Sequence, residues 1–185
     1  MGLVITLSGA IGSRRSEVAD KLAARLGWPK VKFSDYIRQR IADDGERPED
    51  RLLQQRYGQK LVQTQLDEFV EGVLAMAPGW RNQGNLIVDG LRHVEVLLTL
   101  KHKVLPNRLF YVNVTPDPLR REEGARERGI EEQNLYRYDR ALSEAQINRI
   151  LPAYADMEVD GTVGPNLNVA DIARRVGPVQ EPQQP

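Results

Sequence analysis

The stretch from Leu3 to Leu26, LVITLSGAIGSRRSEVADKLAARL, constrains the fold more than any other part of the chain. Leu3, Val4, Ile5 and Leu7 make a short apolar run rich in β-branched residues, the pattern of a central strand. Ser8 to Ser13 carry Gly9 and Gly12 and read as a turn. From Ser16 the residues Val18, Ala19, Leu22, Ala23 and Leu26 recur at helical spacing, and Gly27 stops the helix. A strand that feeds a helix through a glycine turn gathers backbone N–H groups and the positive end of the helix dipole at one point. Such a point suits a phosphate.

The phosphate-loop pattern is G-x-x-x-x-G-K-[ST]. Against it the chain reads Gly9, Ala10, Ile11, Gly12, Ser13, Arg14, Arg15, Ser16. Gly9 and Ser16 match, Arg14 stands at the second glycine, and Arg15 stands at the lysine. In one reading the backbone from Gly9 to Ser16 still cradles phosphate, Arg15 is the catalytic cation at the β- and γ-phosphates, and Ser16 reaches Mg²⁺. Arginine keeps the charge but is planar and bulkier. Arg14 puts a side chain where the backbone has to approach closely. In the other reading the stretch is a structural strand–turn–helix with little phosphate affinity. The residues of this stretch leave both open.

A length of 185 residues fits one domain over 1–176, with a tail from Gly177, PVQEPQQP included, of disordered composition. The 26 basic and 26 acidic residues cancel, which argues against a protein that coats nucleic acid. There is no cysteine, hence no disulfide, thiolate metal site or cysteine nucleophile. No apolar run reaches membrane-span length and no signal-like segment opens the chain, so a cytoplasmic protein is expected. Met1-Gly2 fits the loose myristoylation pattern, but Gly2 leads straight into the first strand.

Further along, Lys30 to Ser34 reads as a short strand and Asp35 to Ala42 as a helix capped by Ser34 or Asp35. Asp35 then sits at a carboxyl strand end, with Arg38 on the same helix face. A long helix is expected from Pro48 to about Met76, with a bend at Tyr57-Gly58-Gln59, and no chemistry is assigned to it. Leu86 to Gly90 is the second clear buried strand; its Asp89 suits Mg²⁺ or a metal-bound water, and Arg92 suits a phosphate. The plainer alternative is Asp89 as a helix cap and Arg92 paired with Glu95. His93 and His102 lack metal-ligand spacing and read as surface residues. Val94 to Leu100 is helical and Arg108 to Val114 is a strand. Thr115-Pro116-Asp117-Pro118 opens a segment, LRREEGARERG, that is either a solvated charged face or an arginine lid. Ile130 to Leu151 reads as a helix broken near Tyr138, Ala155 to Val159 as a strand, and Val169 to Val176 as a helix capped by Asn168. This order predicts an α/β three-layer sandwich: a five-stranded, mostly parallel sheet with helices on both faces.

These residues resemble the P-loop nucleotide kinases, the group of adenylate kinase, dephospho-CoA kinase and deoxynucleoside monophosphate kinase. Ser8 to Ser16 is similar to the loop S-G-x-I-G-S-G-K-S, a Walker A loop degenerate here at Arg14 and Arg15. Asp35 to Arg38 resembles D-x-x-R, and Asp89-Gly90-Leu91-Arg92 resembles D-G-x-x-R short of one residue. Ala155 to Val159 resembles A-D-x-x-I, with Asp160 where asparagine is usual. The resemblance implies the P-loop nucleoside-triphosphate-hydrolase-like fold. It implies ATP with Mg²⁺, the metal held by Ser16 and, through water, Asp89. It also implies a small nucleotide-like acceptor held by Asp35, Arg38 and Arg92, and a lid at about 116–135 carrying Arg121, Arg126 and Arg128 as catalytic cations. Asp35 would orient or deprotonate the acceptor. A kinase is thus expected. A nucleotide-binding pseudokinase that senses a ligand or scaffolds a partner, and a kinase of a modified base in DNA, are the alternatives; a homodimer is compatible with either class.

Overall fold

In a computed structural model, which describes residues 1–10, 12–116 and 142–177, the first apolar run forms a strand at Leu3–Ser8 (β1). The other strands are Lys30–Lys32 (β2), Leu86–Leu91 (β3), Arg108–Thr115 (β4) and Met157–Asp160 (β5). They form one sheet in the order β2-β3-β1-β4-β5, and every pairing is parallel. Residue 11, nearly all of the expected lid with Arg121, Arg126 and Arg128, the first part of the helix expected over 130–151, and the tail beyond 177 lie outside the described residues.

The apolar strand residues split between two faces, as a parallel sheet buried on both sides requires. Val4, Leu86, Val88 and Tyr111 join one core, and Ile5, Leu7, Ile87, Val112 and Val114 join the other. The first face is covered by Leu66–Ala75 (α4) and Val94–Lys103 (α5), through Phe69, Val70, Val73, Val96, Leu97 and Leu100. The second is covered by Arg15–Leu26 (α1) and Pro165–Val176 (α7), through Val18, Ala19, Leu22, Val169 and Ile172. Phe33–Asp43 (α2) and Arg51–Thr64 (α3) pack on each other beside α4, and Leu142–Arg149 (α6) leads into a 3₁₀ turn at Leu151–Tyr154. No helix among the described residues is long and apolar enough to cross a membrane.

The chain steps from β1 over to the edge strand β2, returns to insert β3 between them, then crosses to β4 on the far side of β1. The direction of winding reverses around β1 and β3. In open α/β sheets the crevice outside the carboxyl ends at such a reversal is where ligands bind.

Several boundaries differ from those the sequence predicts. α2 begins at Phe33, ahead of Asp35, and its N-terminus at Lys32 has no side-chain cap. The helix expected from Pro48 to Met76 breaks at Gln65 (φ −147°, ψ 45°), while Gly58 stays inside α3. A Cβ on Gly58 would lie 3.0 Å from Ile37 Cδ1, so this glycine lets α3 approach α2 rather than bend. α7 begins at Pro165 with Gly164 as its cap; Asn168 is buried inside it and donates to the Asp160 carbonyl at 2.8 Å. Asp156, in the A-D motif, ties β5 to β4: its Oδ2 accepts from the Tyr111 N–H at 2.7 Å.

Candidate functional site

β1 ends at Ser8, and the chain turns back on itself so that the Ser13 N–H donates to the Ala10 carbonyl at 3.1 Å. Gly12 is left-handed (φ 87°). A Cβ on Gly9 would lie 2.5 Å from Ser13 Oγ and 2.6 Å from the Val114 carbonyl, so only glycine fits that corner. Arg14 caps α1 in a left-handed conformation (φ 58°, ψ 17°). A non-glycine residue there costs about 1–2 kcal/mol, which is the physical reason the phosphate-loop pattern asks for glycine at this position. The loop keeps the left-handed turn, and Arg14 turns its side chain outward to Glu17, 3.0 Å away. The first N–H groups of α1 have no partner within the helix, and no side chain caps them from Arg14.

Arg15, the first residue of α1, lies inward. Its Nε is 2.7 Å from Asp89 Oδ1, with the side chains 15% and 2% exposed. Among the described residues neither atom makes an aligned hydrogen bond, so the contact is a charge pair. The Nη2 of the same guanidinium donates to Ser16 Oγ at 3.1 Å. Asp89 does not cap a helix; it sits within β3, in register with Leu7 on β1 and Lys32 on β2. After it the β1–β3 register slips at Gly90, whose φ is 101°.

Outside these strand ends lies a cavity of about 480 Å³, a volume in the range of small-molecule sites. Gly9, Ser13, Arg15 and Ser16 line it on the loop side, and Arg38, Arg92 and His93 on the other. Arg51, Gln55 and Gln59 of α3, with Glu49 just before it, complete the wall. Of the sequence-derived site residues, the cavity brings together Gly9, Ala10, Ser13, Arg15, Ser16, Arg38 and Arg92. Asp35 is not on its wall; it pairs with Arg38.

His93 is a correction to the sequence reading. It is 7% exposed rather than a surface residue, because it stands at the turn from β3 into α5 with the α5 core behind it. Burial first of all, and then the Arg92 charge, lower its pKa, while Glu95 acts against them. Burial thus favours the neutral imidazole. Among the described residues His93 Nδ1 and Ser13 Oγ are buried without a hydrogen-bond partner, and both residues line the cavity. Buried polar atoms without partners are rare, and these two belong to residues of one cavity wall. Glu95 accepts from Gln146 Nε2 at 3.2 Å, while Gln146 Oε1 caps α5 by accepting from the Val94 N–H at 2.7 Å. The sequence reading also passed over Gln55, Gln59 and Gly161. The first two are an i, i+4 pair flanking Gly58, a signal that was readable. A Cβ on Gly161 would lie 2.3 Å from the Ser13 carbonyl, so the turn after β5 presses on the loop.

A divalent cation does not fit this donor set as arranged. Ser16 Oγ and Asp89 Oδ1 both contact one guanidinium, a group that offers donors only. Among the described residues no three acidic or histidine side chains gather into an alternative cation site. Mg²⁺ would have to displace Arg15 from Asp89 Oδ1 or share that carboxylate with it.

No protein-family model and no curated protein matches the chain. Solved structures do match along nearly its whole length. A shikimate kinase from Aquifex aeolicus vf5 superposes with a TM-score of 0.51 at 18% identity, over 94% of this chain and 95% of that one. A gluconokinase from Sinorhizobium meliloti 1021 gives 0.56 at 14% identity, over 95% of each. The chain has the α/β P-loop nucleoside-triphosphate-hydrolase-like fold. At these identities the likeness extends to the fold, and neither neighbour is named for a nucleotide acceptor. The loop after β1 is where this chain departs from the phosphate-loop pattern, at Arg14 and Arg15.

Proposed function

We propose that this chain transfers the γ-phosphoryl group of ATP to a small phosphate-bearing acceptor of the nucleotide class. The observation that carries this reading is the continuity of the cavity: loop residues Gly9, Ser13 and Ser16 line it together with Arg15, Arg38 and Arg92. The loop from Gly9 to Ser16 holds the triphosphate, with Arg15 the cation beside the β- and γ-phosphates. Arg38 and Arg92 hold the acceptor's phosphate, Asp35 orients it through Arg38, and Gln55 and Gln59 meet its remaining polar groups. An acceptor oxygen attacks the γ-phosphorus in line, the bond to the β–γ bridging oxygen breaks, and a nucleoside diphosphate leaves. The work of the protein is positioning and charge neutralisation. Arg121, Arg126 and Arg128, as lid cations, belong to the same proposal.

Phosphorus NMR on the purified protein with ATP and a panel of nucleoside monophosphates tests this. The expected result is loss of the γ-resonance that depends on one acceptor, slowed about a hundredfold in Arg92→Ala. Loss that no acceptor accelerates would overturn the transfer. A second reading, a nucleotide-binding protein without transfer, is favoured by the Arg15–Asp89 pair, which engages the groups a metal-assisted transfer would use.

A further inference from the structure

Arg15 spans two atoms that a loop lysine would leave open. Its Nη2 is 3.1 Å from Ser16 Oγ, its Nε is 2.7 Å from Asp89 Oδ1, and its side chain also lines the cavity. Gly90, at the neighbouring strand end, lies beside it: a Cβ there would be 3.8 Å from Arg15 Nη2, an ordinary contact. A guanidinium offers five N–H donors in a rigid fork, and a fork suits bridging where an ammonium is a point charge. It therefore takes up the serine hydroxyl and the buried carboxylate together, with donors left for phosphate oxygens.

We propose that Arg15 is a built-in replacement for the divalent cation, so that this chain binds its nucleoside triphosphate free of metal. The inference rests on the reading that the loop holds a triphosphate. The positive charge that would arrive with a metal ion is covalently part of α1, held in place by Asp89. An added divalent cation finds Ser16 and Asp89 engaged, and it reduces the negative charge of the ligand that Arg15 attracts. Metal dependence returns when the fork is replaced by a point charge that leaves these two residues open.

Calorimetric titration with ATP, once in EDTA and once in excess Mg²⁺, tests the proposal on the full chain. The wild type is expected to bind at least as tightly in EDTA as in Mg²⁺. Arg15→Lys is expected to bind at least about tenfold tighter with Mg²⁺ than without, and Arg15→Lys with Asp89→Asn is expected to lose that preference. Thermal melts establish that each variant is folded, and if Arg15→Lys is not, the wild-type comparison decides alone. Wild-type binding that requires Mg²⁺ would overturn the metal-free site while leaving the triphosphate reading intact. So would a folded Arg15→Lys with no preference. Absence of ATP binding in both buffers would overturn the triphosphate reading and the inference with it.

Discussion

A lysine at position 15 would present a compact ammonium on a flexible stem, whereas the arginine there presents a fork that meets Asp89 and Ser16 at once. The two departures from the phosphate-loop pattern are visible in the sequence, but their consequences are not. Arg14 goes outward to Glu17 and Arg15 goes inward to Asp89 because of where β3 lies, and residue 89 is remote in the chain. His93 was missed for the same reason: its burial comes from elements packed around it, not from its neighbours in sequence. That burial has a measurable consequence. The folded-state pKa of His93 lies below the ordinary 6.5, so in the window just under that value the unfolded chain binds a proton that the folded chain does not. Stability is then full above about pH 6.5 and falls on acidification. Thermal melts between about pH 7 and pH 5 are expected to show this fall, and His93→Gln a shallower one. Parallel curves for the two proteins would show that His93 does not titrate on unfolding.

The segment β1–loop–α1 was legible almost residue by residue, since its signals are local: an apolar run, two glycines, a helical stripe and Gly27 at φ 67°. Elements set by tertiary contact were less legible. Nothing in the composition around Thr64-Gln65 announces the break between α3 and α4, and α5 takes its cap from Gln146, far along the chain. The start of α3 is local again: Asp50 Oδ1 accepts from the Leu52 and Leu53 N–H groups at 2.9 and 3.1 Å. Asp50→Ala should cost about 1 kcal/mol, a fall of about 2–4 °C in Tm for a chain of this size; an unchanged melting point would show that the cap carries no weight. The turn after β5 carries more, because Gly161 lies against the Ser13 carbonyl and its N–H donates to Thr115 at 2.9 Å. Gly161→Ala forces backbone against backbone, at a cost of about 1–3 kcal/mol. It should lower Tm and weaken ATP binding together; a lower Tm with unchanged binding would separate this turn from the loop.

Across the molecule, the strand order β2-β3-β1-β4-β5 brings the ends of β1 and β3 together and opens one cavity in front of both. The fold class followed from the alternation of strands and helices, but the order of strands within the sheet is not written in that alternation. The closeness of Arg15 to Asp89 is a product of that order. So is the meeting of a phosphate-type loop with Arg38 and Arg92 in one space. A ligand made of two nucleosides joined through a polyphosphate chain tests it most directly, since such a ligand can fill both halves at once. Titrated calorimetrically in EDTA, it is expected to bind at least about a hundredfold tighter than ATP, and to lose that advantage in Arg92→Ala as well as in Arg15→Ala. Binding no tighter than that of ATP, and indifferent to Arg92, would contradict a shared donor and acceptor site.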